Sequence, residues 1–171
     1  MKLQGEGYFE VAKNTALPFK IFTKEMQLRV LGTKFNFKNY DDDDEIVVNL
    51  LEGRVALKNS LQDTKEMKME CDEQVVLNKR TGEWSKTSTR ASNSNLWTMD
   101  ELFFNEESLE NIAKRLMRSF NVKIEVADSL KAQCFYGNFQ VSTTNVREVL
   151  EEISKTNRMN FTYENGVYRI Y

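Results

Sequence analysis

The spacing of the apolar residues changes partway along the chain, and this change restricts the fold more than any other feature. Up to about residue 86, apolar residues alternate with polar ones, which is the period of a half-buried β-strand. Beyond residue 96 they also recur every three or four residues in two segments, which is the period of an amphipathic helix. The sequence therefore predicts an α+β protein with an all-β first part and a mixed second part.

A polar segment rich in Ser, Thr and Asn separates the two parts at residues 87–95. Such a segment cannot bury a core face, so we interpret it as a linker. The 171 residues are enough for one large domain or two small ones. We therefore expect an all-β domain over residues 1–86 and a second domain over residues 96–171.

Two glycines mark a change of alternation in the first part. Apolar residues occupy even positions before Gly32 and odd positions after it, and the same change occurs at Gly53. A strand cannot change parity and keep the same face in the core. Either the sheet bends or bulges at each glycine, as in a barrel, a sandwich or a short solenoid, or each glycine lies in a turn between two separate strands. The sequence leaves both interpretations open.

The second part combines two helical stripes with strand patterns, in the order β-α-β-β-α-β-β. Asn105 or Ser108 can cap the first helix, and Asn145 and Glu148 have the spacing of a capping box before the second. The dipeptide Asn165-Gly166 between alternating runs predicts a terminal hairpin. We expect both helices to pack on one face of a small sheet. The stripes are Leu109, Ile112, Ala113, Leu116, Met117 and Phe120, and Val146, Val149, Leu150 and Ile153.

The composition excludes several kinds of chemistry. The chain has no His, which excludes Ser-His and Cys-His nucleophiles and zinc sites that need imidazole. The 24 basic residues against 26 acidic ones argue against nucleic-acid binding, which needs a positive surplus. Cys71 and Cys134 are too few for a four-cysteine zinc site, and we expect both to be free, half-buried thiols. What remains is a binding or regulatory protein, or an enzyme that works only with carboxylates, Lys or Tyr. No feature of the sequence supports the enzyme, so we expect no enzyme activity, no cofactor and no metal site.

Three charged features have simple structural interpretations. Asp41–Glu45 lacks the alternating ligands and central glycine of a calcium-binding loop, so we interpret it as a solvated turn between strands. Lys114, Arg115 and Arg118 form a basic patch on the first helix, which we interpret as its solvated outer face. Glu106 and Glu107 lie where the positive end of that helix favours an acid.

Aromatic residues on the terminal hairpin suggest a surface for a protein partner. A sheet edge with alternate aromatics can accept a strand from another chain, and we expect such an edge at Val167–Tyr171. Ordinary core packing explains the same aromatics equally well. The candidate partner-binding residues are Tyr163, Tyr168, Arg169, Ile170 and Tyr171. The alternative hypothesis is a carbohydrate- or small-molecule-binding module, in which aromatic rings of the all-β part stack on a ligand.

The chain shows no targeting or membrane-spanning pattern. No apolar run approaches the roughly 20 residues that cross a bilayer. The first strand pattern begins at Gly7, almost without a lead-in, so we expect the chain to be a fragment of a longer protein.

Segments in both parts of the chain carry a family resemblance. In the first part they are Gly5–Val11, Pro18-Phe19, Val30–Phe37 and Leu51–Val55. In the second part they are Trp97, Leu102–Asn105, Leu109, Ile112, Leu116, Phe120–Val122, Gly137 and Phe139. These segments resemble the FecR-type sigma regulators. The second set resembles the C-terminal domain of that family, which is similar to the short N-terminal fold of secretins and TonB receptors. The chain departs from the family at Cys71-Asp72, where Pro-Gly is common, and at Ser108, where Pro is common.

The resemblance implies a function in signalling across the envelope of Bacteroidetes-like bacteria. Such anti-sigma regulators span the inner membrane, and their periplasmic part binds the signalling domain of a TonB-dependent outer-membrane transporter. Their cytoplasmic part holds or activates a sigma factor. The resemblance therefore implies that this chain is the periplasmic part, and that segments outside it contact the sigma factor and the membrane.

Overall fold

The computed structural model describes residues 1–157 and 159–171, with the side chains of all of these except residues 156 and 157. The chain divides into two compact units, Met1–Asn95 and Leu96–Tyr171. That each unit folds as an independent domain stays a prediction. No helix in the described residues is long and apolar enough to span a membrane.

The first unit consists of strands that form two antiparallel sheets. The strands are β1 (Gly5–Val11), β2 (Phe19–Phe22), β3 (Met26–Val30), β4 (Thr33–Asn39), β5 (Glu45–Glu52), β6 (Val55–Asn59), β7 (Met67–Met69), β8 (Glu73–Asn78) and β9 (Trp84–Ser88). One sheet has the order β1-β4-β5-β8-β9 and the other β2-β3-β6-β7. Alternate apolar residues of both sheets share one core, in which Phe35, Phe37, Leu28 and Leu57 are fully buried. The predicted all-β first part is confirmed, and its sheets do not close into a barrel.

The two glycines at which the apolar alternation changes, Gly32 and Gly53, lie where the chain passes from one sheet to the other. Strands β3 and β4 belong to different sheets, and so do β5 and β6. Gly32 has φ +152° and Gly53 has φ +92°. A Cβ on Gly32 would lie 2.6 Å from Cα of Lys13, and one on Gly53 would lie 2.5 Å from the carbonyl oxygen of Gly32. The glycines therefore join separate strands and also form bends, because no other residue fits this backbone.

The predicted linker is structured over most of its length. Strand β9 extends to Ser88, and a 3-10 helix spans Ala91–Met99. Asp72 holds the start of this segment, because its carbonyl oxygen accepts from the Thr89 amide at 2.8 Å and its carboxylate accepts from the Ala91 amide at 3.3 Å. The composition of the segment does not reveal this structure, because the hydrogen-bond acceptor, Asp72, lies on a turn that is distant in sequence.

The second unit has the predicted element order. Its elements are β10 (Glu101–Ser108), α1 (Leu109–Phe120), β11 (Lys123–Val126), β12 (Cys134–Gln140), α2 (Val146–Asn157), β13 (Phe161–Glu164) and β14 (Val167–Ile170). The expected single sheet is divided in two, with β10 paired to β12 in one and the order β11-β14-β13 in the other. The register of β10 shifts between Phe104 and Glu107, and Glu106 there has φ +52°.

The helices of the second unit begin where the sequence predicts. Ser108 caps α1 by accepting from the Asn111 amide at 3.3 Å. Asn145 and Glu148 form a reciprocal capping box, with amide-to-side-chain distances of 3.2 and 3.1 Å. The predicted stripes are buried in the core of this unit, apart from the partly buried Met117 and Phe120. Asn165 and Gly166 both have positive φ, as a tight hairpin turn requires.

Candidate partner-binding surface

The terminal strand β14 is the central strand of its sheet. It pairs in parallel with β11, from Lys123 opposite Val167 to Val126 opposite Ile170, and antiparallel with β13. Both of its edges are therefore occupied, and the predicted open edge at Val167–Tyr171 is wrong. The hairpin pattern identifies β13 as one neighbour, but it gives no information about a third strand that arrives from a distant part of the chain.

The five candidate partner residues are dispersed over the hairpin. Ile170 is buried in the core with 3% exposure, and Arg169 lies on the opposite face of the strand. Tyr163 and Tyr168 are directly opposite each other on the core-side face, with ring centres 4.5 Å apart. Tyr171 follows the end of β14 and is exposed. The structure thus brings together only Tyr163 and Tyr168, and the partner-binding role of all five residues stays a prediction.

The open edge next to these aromatics belongs to β13. Asn160 and Tyr171 exchange two backbone hydrogen bonds of 2.9 Å. In an antiparallel pair every second residue pair is hydrogen-bonded, so on β13 the residues bonded to β14 are Thr162 and Glu164. The peptide groups of Phe161 and Tyr163 then point away from β14. No strand within residues 1–157 and 159–171 pairs with β13 on that side. Strand β13 is therefore an edge with outward-facing backbone donors and acceptors.

Aromatic rings line the core-side face at this edge. Tyr163 is 52% exposed, although it lies on the face that packs on the core, and its ring contacts the partly buried Tyr168. The Phe161 ring lies 6.2 Å from that of Tyr168, and the Arg147 guanidinium of α2 lies 5.9 Å from the Phe161 ring centre. A strand added at this edge could therefore form backbone hydrogen bonds with β13 and pack against the large amphipathic ring of Tyr163.

The opposite face of the same sheet is polar. Arg169 Nε donates to Glu125 Oε2 at 2.8 Å, and Arg169 Nη1 lies 3.7 Å from Glu164 Oε2. These three residues extend across all three strands. Exposed ion pairs of this kind stabilise a fold only slightly, by about 1 kcal/mol or less, and their side chains keep this face polar.

Arg115 does not lie on a solvated outer face, contrary to the interpretation of the basic patch. Its guanidinium donates to the Phe103 carbonyl oxygen at 2.8 Å and to the Glu107 carboxylate. It also lies 4.9 Å from the Phe104 ring centre. Arg115 therefore holds the bulged strand β10 against α1, and Glu107 serves as its ion-pair partner. No sequence spacing reveals this contact, because the bulge sets the position of Glu107.

The acidic segment and the cysteines agree only in part with the sequence analysis. Asp41–Glu45 does form the turn between β4 and β5, but Asp43 is buried and its carboxylate lies 3.7 Å from Nζ of Lys38. Both cysteines are free, as expected, but they are exposed and not half-buried. Partial desolvation and the neighbouring Asp72 raise the pKa of the Cys71 thiol. In the described residues no three His, Cys, Asp or Glu side chains are grouped to hold a metal ion.

Paired aromatic rings of the first unit contribute to its core. Phe9 stacks on Phe35 with ring centres 5.1 Å apart and lies 5.8 Å from the Phe19 ring. Phe35 is fully buried, and Phe9 and Phe19 pack against the same core. These rings stabilise the fold, so they give no support to stacking on a carbohydrate.

Comparisons with known proteins match both units. A family model described as FecR protein matches residues 1–56, and one described as FecR, C-terminal, matches residues 101–170. Two crystal structures of a candidate anti-sigma factor from Parabacteroides distasonis ATCC 8503, at 1.65 and 2.50 Å resolution, are similar to this chain with TM-scores of 0.90 and 0.89. Each is 24% identical over 99% of this chain and 78% of the other. No curated protein matches the sequence.

Proposed function

The chain belongs to the FecR family, and from this premise we propose that it is the sensing part of an anti-sigma regulator, which acts by docking onto a partner protein. The observation that carries the proposal is the order of the two family matches, one in each unit of a continuous chain. The similar fold of a candidate anti-sigma factor supports the same class of function. The role needs recognition and no covalent chemistry.

The finer proposal concerns place and partner. The chain acts in the periplasm, where it binds the signalling domain of a TonB-dependent outer-membrane transporter. A cytoplasmic region outside this chain acts on the sigma factor, so that ligand arrival at the transporter changes transcription. The family resemblance supports this arrangement.

The structure offers a specific docking mode at the edge of β13. The outward peptide groups of Phe161 and Tyr163 supply a donor and an acceptor at alternate positions, as strand addition requires. Main-chain hydrogen bonds give affinity in this mode, and the side chains beside them give specificity. The exposed Tyr163 ring supplies contact area at this edge.

A pair of substitutions at one position tests this docking mode. Tyr163→Pro removes the outward amide but leaves the bonds between β13 and β14, since the Tyr163 amide is not part of that ladder. Tyr163→Val removes the same ring and keeps the amide. We expect the proline variant to bind the transporter signalling domain about tenfold more weakly than the valine variant, in isothermal titration calorimetry.

Two other outcomes separate the parts of the proposal. Equal binding by the two variants would exclude strand addition at β13 but would not contradict the proposed partner. Absence of binding by the unsubstituted chain, with circular dichroism showing it folded, would exclude the partner itself.

A further inference from the structure

The outer face of the five-stranded sheet in the first unit is balanced in charge. The register places Glu10 opposite Lys34 and Glu6 opposite Lys38. Lys34 Nζ also lies 3.3 Å from a carboxylate oxygen of Glu52 on the next strand. Charged residues of opposite sign thus face each other across neighbouring strands, as sheet stability favours.

The outer face of the four-stranded sheet is cationic instead. Its register forms one row of Lys20, Arg29, Ala56 and Lys68 across four strands. A second row consists of Lys2, Phe22, Gln27 and Lys58. We use the term cationic face for the five basic residues of these rows. Lys20 lies directly opposite Arg29, although like charges in this position destabilise a sheet.

The charges of this face are largely unneutralised. Glu66 is the acid that reaches it, and its carboxylate lies 3.3 Å from Nη2 of Arg29. Lys20, Lys58 and Lys68 form no ion pair with any residue that the structure describes. The composition does not require this, because residues 1–95 contain 15 basic and 15 acidic residues. The register therefore concentrates positive charge on one face at a cost in stability that the fold alone does not explain.

The centre of the cationic face contains a depression. Ala56, the smallest side chain of the two rows, lies between Arg29 and Lys68 in the register. The space beside it is lined by the basic residues Lys20, Arg29 and Lys58, by Phe22, and by Glu66, the acid that pairs with Arg29. Its volume is about 170 Å³. A water molecule occupies roughly 30 Å³, so the depression is large enough for a carboxylate side chain.

We propose that the cationic face binds an acidic segment of a partner polypeptide. Carboxylates at alternate residues of an extended segment lie about 7 Å apart, and so do the two rows of the face. A carboxylate side chain can enter the depression beside Ala56, whereas the planar surface of an anionic bilayer cannot. Phe22 is the one large apolar side chain in these rows, which is too little for insertion into a membrane. This inference does not depend on docking at β13.

A charge-reversed variant of the full chain tests the proposal. The probe is a fluorescent synthetic peptide of alternating Glu and Thr, and the measurement is its anisotropy. We expect Lys20→Glu with Lys68→Glu to weaken binding at least about tenfold. Lys13→Glu with Arg80→Glu is the control, because both residues are exposed, lie outside the cationic face and change the net charge equally.

A stability measurement separates binding from folding. Lys20→Glu places an acid opposite Arg29, so the melting temperature should stay the same or rise while affinity falls. Binding by the unsubstituted chain should also weaken as salt rises from about 50 to about 500 mM. Equal binding by the two double variants, or no binding of the peptide by the unsubstituted chain, would overturn the proposal. Binding to phosphatidylglycerol vesicles without binding to the peptide would overturn it in favour of a lipid surface.

Discussion

The two units of the chain specify their folds by different means. In the first unit, the chain must pass between two sheets at Gly32 and Gly53, and each glycine lies against backbone where a Cβ would clash. In the second unit, helices begin at side-chain caps and bury regular apolar stripes. The fold of the first unit therefore depends on single positions that tolerate no side chain. The fold of the second unit depends on many side chains, each of which has a modest effect.

The largest predicted effect tests the dependence of the first unit on its glycine bends. Gly53→Ala should lower the free energy of unfolding by about 4 kcal/mol, since it adds backbone strain and a clash with the Gly32 carbonyl. Gly166→Ala is the matched control, because Gly166 also has positive φ but has no atom within 4 Å of the added Cβ. That control should lose only about 1 kcal/mol.

The fluorescence of Trp84 can report on the first unit alone. Trp84 packs against the core of that unit, and Trp97→Phe removes the other tryptophan. Urea unfolding in this background measures the loss caused by Gly53→Ala, and hydrogen exchange of the second unit's amides measures the loss caused by Gly166→Ala. If the two glycine variants lose equal stability, the close contact at Gly53 is unimportant, and the contrast between the units is weaker than proposed.

A smaller effect is expected from the helix caps of the second unit. Asn145→Ala removes one half of the capping box and should cost about 1 kcal/mol, measured by hydrogen exchange of the α2 amides. Glu148→Gln keeps an acceptor for the Asn145 amide and should cost less. If Asn145→Ala lost as much stability as Gly53→Ala, the fold of the second unit would also depend strongly on a single residue, contrary to this comparison.

The smallest effect concerns acid stability. The Glu70 amide and then Lys86 hold the pKa of Glu73 in the first unit below its ordinary value of 4.5. A depressed pKa stabilises the fold above the unfolded pKa, and this contribution is lost as pH falls through 4.5 towards the folded pKa. The stability difference between the unsubstituted chain and Glu73→Gln should therefore shrink below that pH.

The second unit offers a comparison for this titration. Lys131 lowers the pKa of Asp128, but the Asp128 side chain is 95% exposed. Solvent screens this ion pair. Asp128→Asn should therefore change the free energy of unfolding at acid pH, measured by chemical denaturation, less than Glu73→Gln does. The opposite order would show that burial of the carboxylate does not decide the effect.

Local patterns predicted most of the elements but not their neighbours. The stripe from Leu109 to Phe120 and the dipeptide Asn165-Gly166 each fix an element, because the information lies within a few residues. The position of β14 between two strands was missed, because β11 pairs with it across more than forty residues of sequence. The ion pair between Arg115 and Glu107 was missed for a related reason, since a bulge in β10 aligns the two.

The sequence alone determined the apolar faces of the strands and of the two α-helices and where those α-helices start, because periodicity and caps depend on residues close together in the chain. The tertiary structure decided which strands are edges and which charges meet across a sheet. Lys20 opposite Arg29, and the open edge at Tyr163, are consequences of register between strands. Register is fixed only when the whole unit packs, so no local segment contains it.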